Sequence, residues 1–128
     1  MSASDKTRIV CVSEPGTMQE ALCSMLNALP NIAIVGHASG GLSALQVLSR
    51  CEAHVAVIDA NVPTEEMLAL VQSINVLQPP VASLVLTAAR SQLRLAVAAG
   101  ATATLPRSSP SRQIGEAIRD AASRIGQI

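Results

Sequence analysis

The stretch VASLVLT, residues 81–87, is almost entirely apolar and ends on a hydroxyl side chain. A strand with apolar side chains pointing in both directions is typical of a parallel sheet that is covered on both faces. Pro79 and Pro80 precede the stretch and end any helix that leads into it. The stretch therefore predicts a central parallel strand with helices packed on both sides of its sheet.

The same alternation extends outward along the chain. Further β-branched or apolar runs, at residues 8–13, 32–35, 55–58 and 103–105, predict four more strands, and a small-residue turn is expected over residues 36–41. Apolar residues at helical spacing predict five helices, the first opened by a capping box over residues 17–20. The residues expected to face inward are Met18, Leu22, Met25, Leu26 and Leu29; Leu42, Leu45 and Leu48; Met67, Leu70, Val71 and Ile74; Leu93, Ala96 and Val97; and Ile114, Ala117, Ile118, Ala121 and Ile125. Five strands alternating with five helices over short connections predict a doubly wound α/β fold with a mostly parallel sheet.

The composition fits one domain with an unusual interior. The chain has 128 residues, of which 49% are hydrophobic and 14% charged, and it contains no Phe, Tyr or Trp. We expect a single domain over residues 1–128, with a core from about residue 7 to residue 125, filled by Ala, Val, Leu, Ile and Met. No apolar run reaches the ~18 residues of a membrane span and the N-terminus is polar, so we expect a cytoplasmic protein with no membrane partner.

The cysteines and histidines do not form a recognisable metal or disulfide motif. Cys11, Cys23 and Cys51 are odd in number and widely spaced, which argues against a disulfide framework and against a zinc site. Buried thiols in a reducing cytoplasm are the simpler interpretation. His37 and His54 are isolated, and each is interpreted as a surface loop residue.

The formal net charge is zero, but the two parts of the chain differ in sign. Residues up to Leu86 carry a formal charge of minus four, and the residues beyond it carry plus four. A basic C-terminal face suits a partner or nucleic acid, although a solvated helical face is the simpler interpretation. Without aromatic residues the chain has no side chain on which the bases of a single strand stack.

Polar residues follow the predicted strands at the point where each strand ends. Ser13 and Glu14 follow the first strand, Asp59 the third, Thr87 the fourth and Arg107 the fifth. In doubly wound sheets, ligands bind beyond the carboxyl ends of the strands, so these side chains are expected to share one crevice. A carboxylate nucleophile, oxygen ligands for magnesium, a hydroxyl and a positive charge are the groups that phosphoryl chemistry uses.

In order and spacing the sequence resembles the receiver domains of two-component response regulators. VIDANVP (57–63) is similar to the family's phosphoacceptor segment, LVLTAA (84–89) carries its hydroxyl, and AAGATATLPR (98–107) leads to its cationic residue. IVGHASGGLSAL (34–45) is similar to the NarL/LuxR subfamily. The resemblance implies a flavodoxin-like, CheY-like fold with strand order 2-1-3-4-5. It also implies that Asp59 accepts phosphate, assisted by Thr87 and Arg107, and that Glu14, Asp59 and Asn61 hold Mg²⁺.

The sequence departs from the family's pattern at several of these positions. Ser13 replaces the first of two adjacent acids and Glu14 retains only the second, so one negative charge is missing from the expected metal site. At ~4 Å the loss of one charge pair lowers magnesium affinity by about ten-fold to a thousand-fold. Arg107 replaces a lysine, and arginine's planar fork is not equivalent to a compact ammonium. Thr104 occupies the position of the family's switch aromatic, and Met67 that of an expected glycine.

The resemblance therefore implies an atypical receiver, and two modes of action remain open. Either Asp59 is phosphorylated weakly by a histidine kinase, with altered geometry, or the domain holds its conformation without phosphate and works as a homodimer, the mode we favour. The output is expected to be transcription, with DNA contacted only through an output domain outside these residues. A docking or small-ligand module without phosphoryl chemistry is the alternative. A turnover enzyme is not expected, because no cofactor loop is found.

Overall fold

Five strands and five helices alternate along residues 6–126, the part of the chain that the computed structural model describes. The strands are β1 (Thr7–Val12), β2 (Ile32–Ala38), β3 (Val55–Ile58), β4 (Ala82–Thr87) and β5 (Ala103–Pro106). The helices are α1 (Thr17–Asn27), α2 (Gly41–Arg50), α3 (Thr64–Ile74), α4 (Arg90–Ala99) and α5 (Ser111–Gly126). Within this range no helix combines the length and the apolar character needed to cross a bilayer.

The sheet is parallel throughout and has the order β2-β1-β3-β4-β5. β1 lies between β2 and β3, so the direction in which strands are added reverses beside β1. Such a reversal opens a crevice at the carboxyl ends of the strands on either side of it. The predicted fold class and strand order are confirmed, and the expected location of the site follows from them.

Two apolar layers cover the two faces of the sheet. One layer packs α2, α3 and α4 against Val10, Val12, Ala56, Ile58 and Val85. The other packs α1 and α5 against Ile9, Cys11, Val55, Val57, Ala82, Leu84 and Leu86. Alternate residues of each central strand point to opposite layers, as the pleat of a strand requires. The apolar stretch that begins at residue 82 is thus explained by burial on both faces.

Some helix positions face solvent instead of the predicted interior. Leu42 is 75% exposed, Val97 57% and Met18 42%, whereas Ala44 and Ala96 are completely buried. Adjacent residues on a helix point about 100° apart. Residues spaced by three and four therefore indicate a helix, but in a short helix they do not fix which of its faces packs against the sheet. The capping box predicted over residues 17–20 is also wrong, because Gly16 is the N-cap of α1 and no side chain caps that helix.

Strand β2 runs three residues further than predicted and includes Gly36. Ile9 pairs with Ile34 but Val10 pairs with Gly36, so Val35 is an extra residue in a bulge. A Cβ on Gly36 would lie 2.7 Å from Cγ1 of Val47, so the glycine permits α2 to pack closely on the strand. His37, interpreted from the sequence as a loop residue, therefore lies in β2.

The N-terminus of α2 is held by α3. The Glu66 carboxylate accepts a hydrogen bond from the backbone N–H of Gly41 at 2.5 Å. A Cβ on Gly40 would lie 2.2 Å from Oε2 of Glu66, so this approach requires the glycine. An acid at a helix N-terminus accepts a hydrogen bond from a free backbone N–H, and its negative charge interacts favourably with the positive end of the helix dipole.

The histidine that precedes β3 is expected to make stability depend on pH. His54 Nδ1 accepts the backbone N–H of Arg8 at 2.9 Å. Desolvation by burial, and then the charge of Arg8, lower the pKa of His54 below its ordinary value of 6.5. The folded chain thus binds this proton less readily than the unfolded chain, so the contribution is complete above pH 6.5 and is lost as the pH falls through the folded pKa.

We expect His54→Asn, which keeps an acceptor but does not titrate, to remove part of the loss of stability between about pH 7 and about pH 5. Urea unfolding midpoints of the two proteins across this range measure the difference. Parallel pH profiles for the unmodified chain and the variant would show that His54 does not contribute.

Candidate functional site

The parallel strands bring Ser13, Asp59, Thr87 and Arg107 to one rim of the sheet. Ser13 and Asp59 directly follow β1 and β3, Thr87 ends β4, and Arg107 follows β5. Backbone hydrogen bonds extend the ladders to this point: Asp59 N–H donates to the Val12 carbonyl at 2.9 Å and Arg107 N–H to the Thr87 carbonyl at 2.8 Å. The backbone hydrogen bonds of the sheet therefore fix the positions of these residues at its edge.

Asp59 and Arg107 form an ion pair in which both carboxylate oxygens are engaged. Arg107 Nε donates to Asp59 Oδ1 at 2.7 Å, and Nη2 lies 3.4 Å from Oδ2. The Asp59 side chain has no exposed surface, whereas 31% of the Arg107 side chain is exposed. A buried carboxylate requires a paired charge, and the guanidinium fork supplies it through two N–H groups.

The remaining contacts of Asp59 come from its own loop and from Ser13. The backbone N–H of Ala60 donates to Oδ1 at 2.7 Å, and the Ser13 hydroxyl lies 3.2 Å from Oδ2. Among the described residues, no buried side-chain nitrogen or oxygen lacks a hydrogen-bond partner. The carboxylate thus has four donors around it, all of them from the protein, and each of its two oxygens is contacted by two of them.

Asn61 turns its side chain into the pocket, beside Ser13. Its Nδ2 lies 3.1 Å from the Ser13 hydroxyl oxygen, and its Oδ1 accepts the backbone N–H of Glu14 at 3.1 Å. The amide links the end of β1 to the loop that follows β3. The Glu14 residue is exposed, and its recorded contacts in the pocket come from its backbone. Glu14 is not the partner of Arg107, which pairs with Asp59.

Thr87 is buried on the same rim, but its hydroxyl is directed at β5. Oγ1 lies 3.4 Å from the carbonyl oxygen of Leu105 and has no recorded hydrogen bond to Asp59. The backbone carbonyl of Thr87 therefore accepts a hydrogen bond from Arg107, while its side-chain hydroxyl contacts the Leu105 carbonyl. Of the five residues predicted for the site, Asp59 and Arg107 are in direct contact. Asn61 is linked to Asp59 through the Ser13 hydroxyl, and Thr87 and Glu14 lie at the edges.

Two glutamines at the rim were not predicted. Gln92 Oε1 accepts the backbone N–H of Ala88 at 2.7 Å, and its Nε2 lies 3.4 Å from the Ala60 carbonyl oxygen, so it joins the loops that follow β4 and β3. Gln19 Nε2 lies 3.3 Å from the Ser13 carbonyl oxygen. Gln92 is the third residue of α4, a position from which a glutamine commonly bonds back to the helix start, so its spacing was a usable signal.

Several solved structures of response regulators share this architecture. The receiver domain described as that of the putative response regulator NarL from Mycobacterium tuberculosis superimposes with a TM-score of 0.82 at 22% identity, over 93% of this chain and 98% of that one. A LuxR-family two-component response regulator from Aurantimonas sp. SI85-9A1 gives 0.81 at 19% identity, over 93% of this chain and 86% of that one. This chain has the response-regulator receiver fold. No family model and no curated protein matches the sequence.

A further structure with the receiver fold was solved with a phosphate mimic. The isolated receiver domain of RcsB from Salmonella enterica serovar Typhimurium, in the presence of phosphomimetic BeF3-, gives a TM-score of 0.73 at 14% identity, over 94% of this chain and 98% of that one. At these identities the likeness concerns the fold. The chemistry of the rim depends on this chain's own residues.

The rim is a poor magnesium site. Magnesium prefers several oxygen ligands with near-octahedral geometry, including one or two carboxylates. Here the guanidinium of Arg107 bonds both oxygens of Asp59, and Ser13 supplies a neutral hydroxyl where the receiver pattern has an acid. Over residues 6–126, no three acidic, histidine or cysteine residues are grouped to hold a metal ion. The residues present therefore do not fit Mg²⁺.

Proposed function

We propose that this chain is an atypical receiver domain of a NarL/LuxR-type response regulator, spanning about residues 7–125, that signals without a phosphoryl group on Asp59. The fold supports the receiver assignment, and the sequence segments at residues 34–45, 57–63 and 84–89 support the subfamily. The observation that carries the proposal is the arginine fork on the buried carboxylate of Asp59.

In this proposal the ion pair between Arg107 and Asp59 compensates the negative charge at the rim. Arg107 neutralises Asp59, Ser13 donates to the same carboxylate, and Asn61 ties the β1 end to the β3 loop. A carboxylate with both oxygens engaged is a weak nucleophile, because attack on phosphorus needs a free lone pair and a broken ion pair. The domain thus holds one rim conformation and acts through its surface, as a homodimer that regulates transcription through an output domain.

The proposal assigns no turnover of a substrate to the chain. Among the described residues, every buried side-chain nitrogen or oxygen of the rim has a hydrogen-bond partner within the protein. We place the protein in the cytoplasm, where response regulators meet their partners.

The test is exposure of the purified protein to acetyl phosphate and magnesium. We expect intact-mass spectrometry to detect no added phosphate, and sedimentation to give the same oligomeric state with and without the reagent. The Asp59→Asn variant is the matched control, because it removes the acceptor and keeps the side-chain volume. Phosphate uptake by the unmodified chain that is lost in Asp59→Asn would contradict the proposal.

The same experiment decides the second candidate, a receiver phosphorylated slowly by a histidine kinase. The observation that favours it is the partial exposure of Arg107, whose side chain has room to leave Asp59. In that case uptake of phosphate on Asp59 would require a high magnesium concentration, because Ser13 supplies no charge to a metal ion.

A further inference from the structure

Two thiols and an imidazole from three different elements lie together on the α1 side of the sheet. The Sγ atoms of Cys11, in β1, and Cys23, in α1, are 4.0 Å apart. The Cys23 sulfur is also 3.4 Å from Nδ1 of His37, in β2. Cys11 and His37 are paired in the β1–β2 register, so the sheet places both of them beneath α1.

The two sulfurs have different environments. Cys11 is 1% exposed within the core, whereas Cys23 is half-buried beside the exposed His37. Burial raises the pKa of the Cys11 thiol, and the neighbouring Cys23 and the charge of Asp59 raise it further. Because Cys11 is buried and its protonated form is favoured, a dissolved oxidant does not reach it, and it reacts only with a sulfur brought against it, such as an oxidised Cys23. Cys23 is the accessible thiol, and the imidazole beside it is placed to accept its proton.

We propose that Cys23 and Cys11 form a reversible thiol oxidation site, in which a hydroperoxide oxidises Cys23 and Cys11 then closes a disulfide. This site is independent of the rim chemistry proposed above. It uses thiols that belong to neither a metal site nor an existing disulfide in the described chain.

The two steps balance with hydrogen peroxide as the oxidant. In the first, His37 takes the Cys23 proton and the thiolate sulfur attacks one peroxide oxygen. The O–O bond breaks, giving Cys23 sulfenic acid and a hydroxide, and the protonated His37 returns its proton to the hydroxide to form water. In the second, the Cys11 sulfur attacks the Cys23 sulfur and the S–O bond breaks. The departing hydroxyl leaves with the Cys11 proton as water, so two thiols are oxidised and one peroxide is reduced.

The second step needs a small movement. A disulfide has its sulfurs about 2 Å apart, so the 4.0 Å separation must close by about half, through rotation of the Cys23 side chain and a slight approach of α1. Cys11 lies two residues before Ser13 in the chain. The disulfide would therefore tie α1 to the strand that leads into the rim.

The test is treatment of the reduced protein with hydrogen peroxide, followed by digestion without a reducing agent. We expect peptide mass spectrometry to find Cys11 and Cys23 cross-linked within one chain, lighter by two hydrogens and released by dithiothreitol. Cys51→Ser is the matched control and should give the same cross-link. Cys51 is also half-buried, but its sulfur bonds the Val35 carbonyl at 3.5 Å, with neither a sulfur nor an imidazole as its recorded partner.

Two variants separate the steps. In Cys11→Val, which keeps an apolar side chain in the strand, dimedone should trap sulfenic acid on Cys23. His37→Gln should slow the oxidation of Cys23 by about a hundredfold, and an unchanged rate would refute the role of the imidazole. Oxidation of Cys51 ahead of Cys23, or disulfides only between chains, would overturn the proposal.

Discussion

Arg107→Ala is expected to lower the free energy of unfolding by about 3 kcal/mol. The substitution leaves the Asp59 carboxylate buried and charged, with only neutral donors around it. Breaking a buried ion pair by removing one partner typically costs about 3–5 kcal/mol, and the partial exposure of Arg107 places this case at the lower end. Urea denaturation followed by circular dichroism measures the change.

The control for this prediction is an exposed arginine in an ion pair. Arg112, with its side chain 90% exposed, pairs with Glu116 one helical turn away, so Arg112→Ala should cost about 0.5 kcal/mol or less. Introducing Asp59→Asn into the Arg107→Ala protein removes the unpaired charge and should restore part of the lost stability. If Arg107→Ala and Arg112→Ala destabilise equally, the ion pair does not hold the rim.

Combining Ser13→Asp with Arg107→Lys should raise the affinity for magnesium by about ten-fold to a thousand-fold. The first change restores a negative charge 3.2 Å or so from Asp59, where the Ser13 hydroxyl now lies. The second replaces a fork that engages both carboxylate oxygens with a single ammonium, which leaves an oxygen free. Two carboxylates close together also repel, so the variant should be destabilised without magnesium and stabilised by it.

Thermal unfolding during a magnesium titration measures this gain. The matched control combines Ser13→Asn with Arg107→Lys, which changes the shape of the pocket in the same way but adds no charge. An equal magnesium response from both double variants would mean that the missing acid is not what weakens the site. We expect acetyl phosphate to label the acid-containing variant on Asp59 and to leave the unmodified chain unlabelled.

Patterns of buried residues were the most reliable guide to the fold. The apolar runs that became β3 and β4 were predicted to within a residue, because a strand covered on both faces is formed almost entirely by apolar residues. The inward face of α3 was also predicted correctly at all four positions. Leu42 and Val97 were misplaced because α2 and α4 bury small residues, Gly41 and Ala44 in one and Ala96 in the other, whose contribution to an apolar stripe is weak.

The rim was predicted in its location but not in its connections. The residues at the strand ends were identified from the sequence, since parallel strands must end at a common edge. The pairing of Arg107 with Asp59 was not predicted, because the sequence places a second acid, Glu14, at the same edge of the sheet. The directions of the Ser13 and Asn61 side chains likewise depend on which donors the folded loops leave free.

The sequence by itself determined which residues follow each strand, and so which side chains lie at the carboxyl edge of the sheet. Both follow from the polarity pattern and the order of residues along the chain, which do not depend on tertiary contacts. The tertiary structure decided which charges meet: Arg107 reaches the buried carboxylate of Asp59, and Cys23 meets Cys11 and His37. Those contacts join residues far apart in the chain, and their distances are set by how the two helical layers pack on the sheet. Packing at that precision is a property of the whole domain, and no stretch of sequence contains it alone.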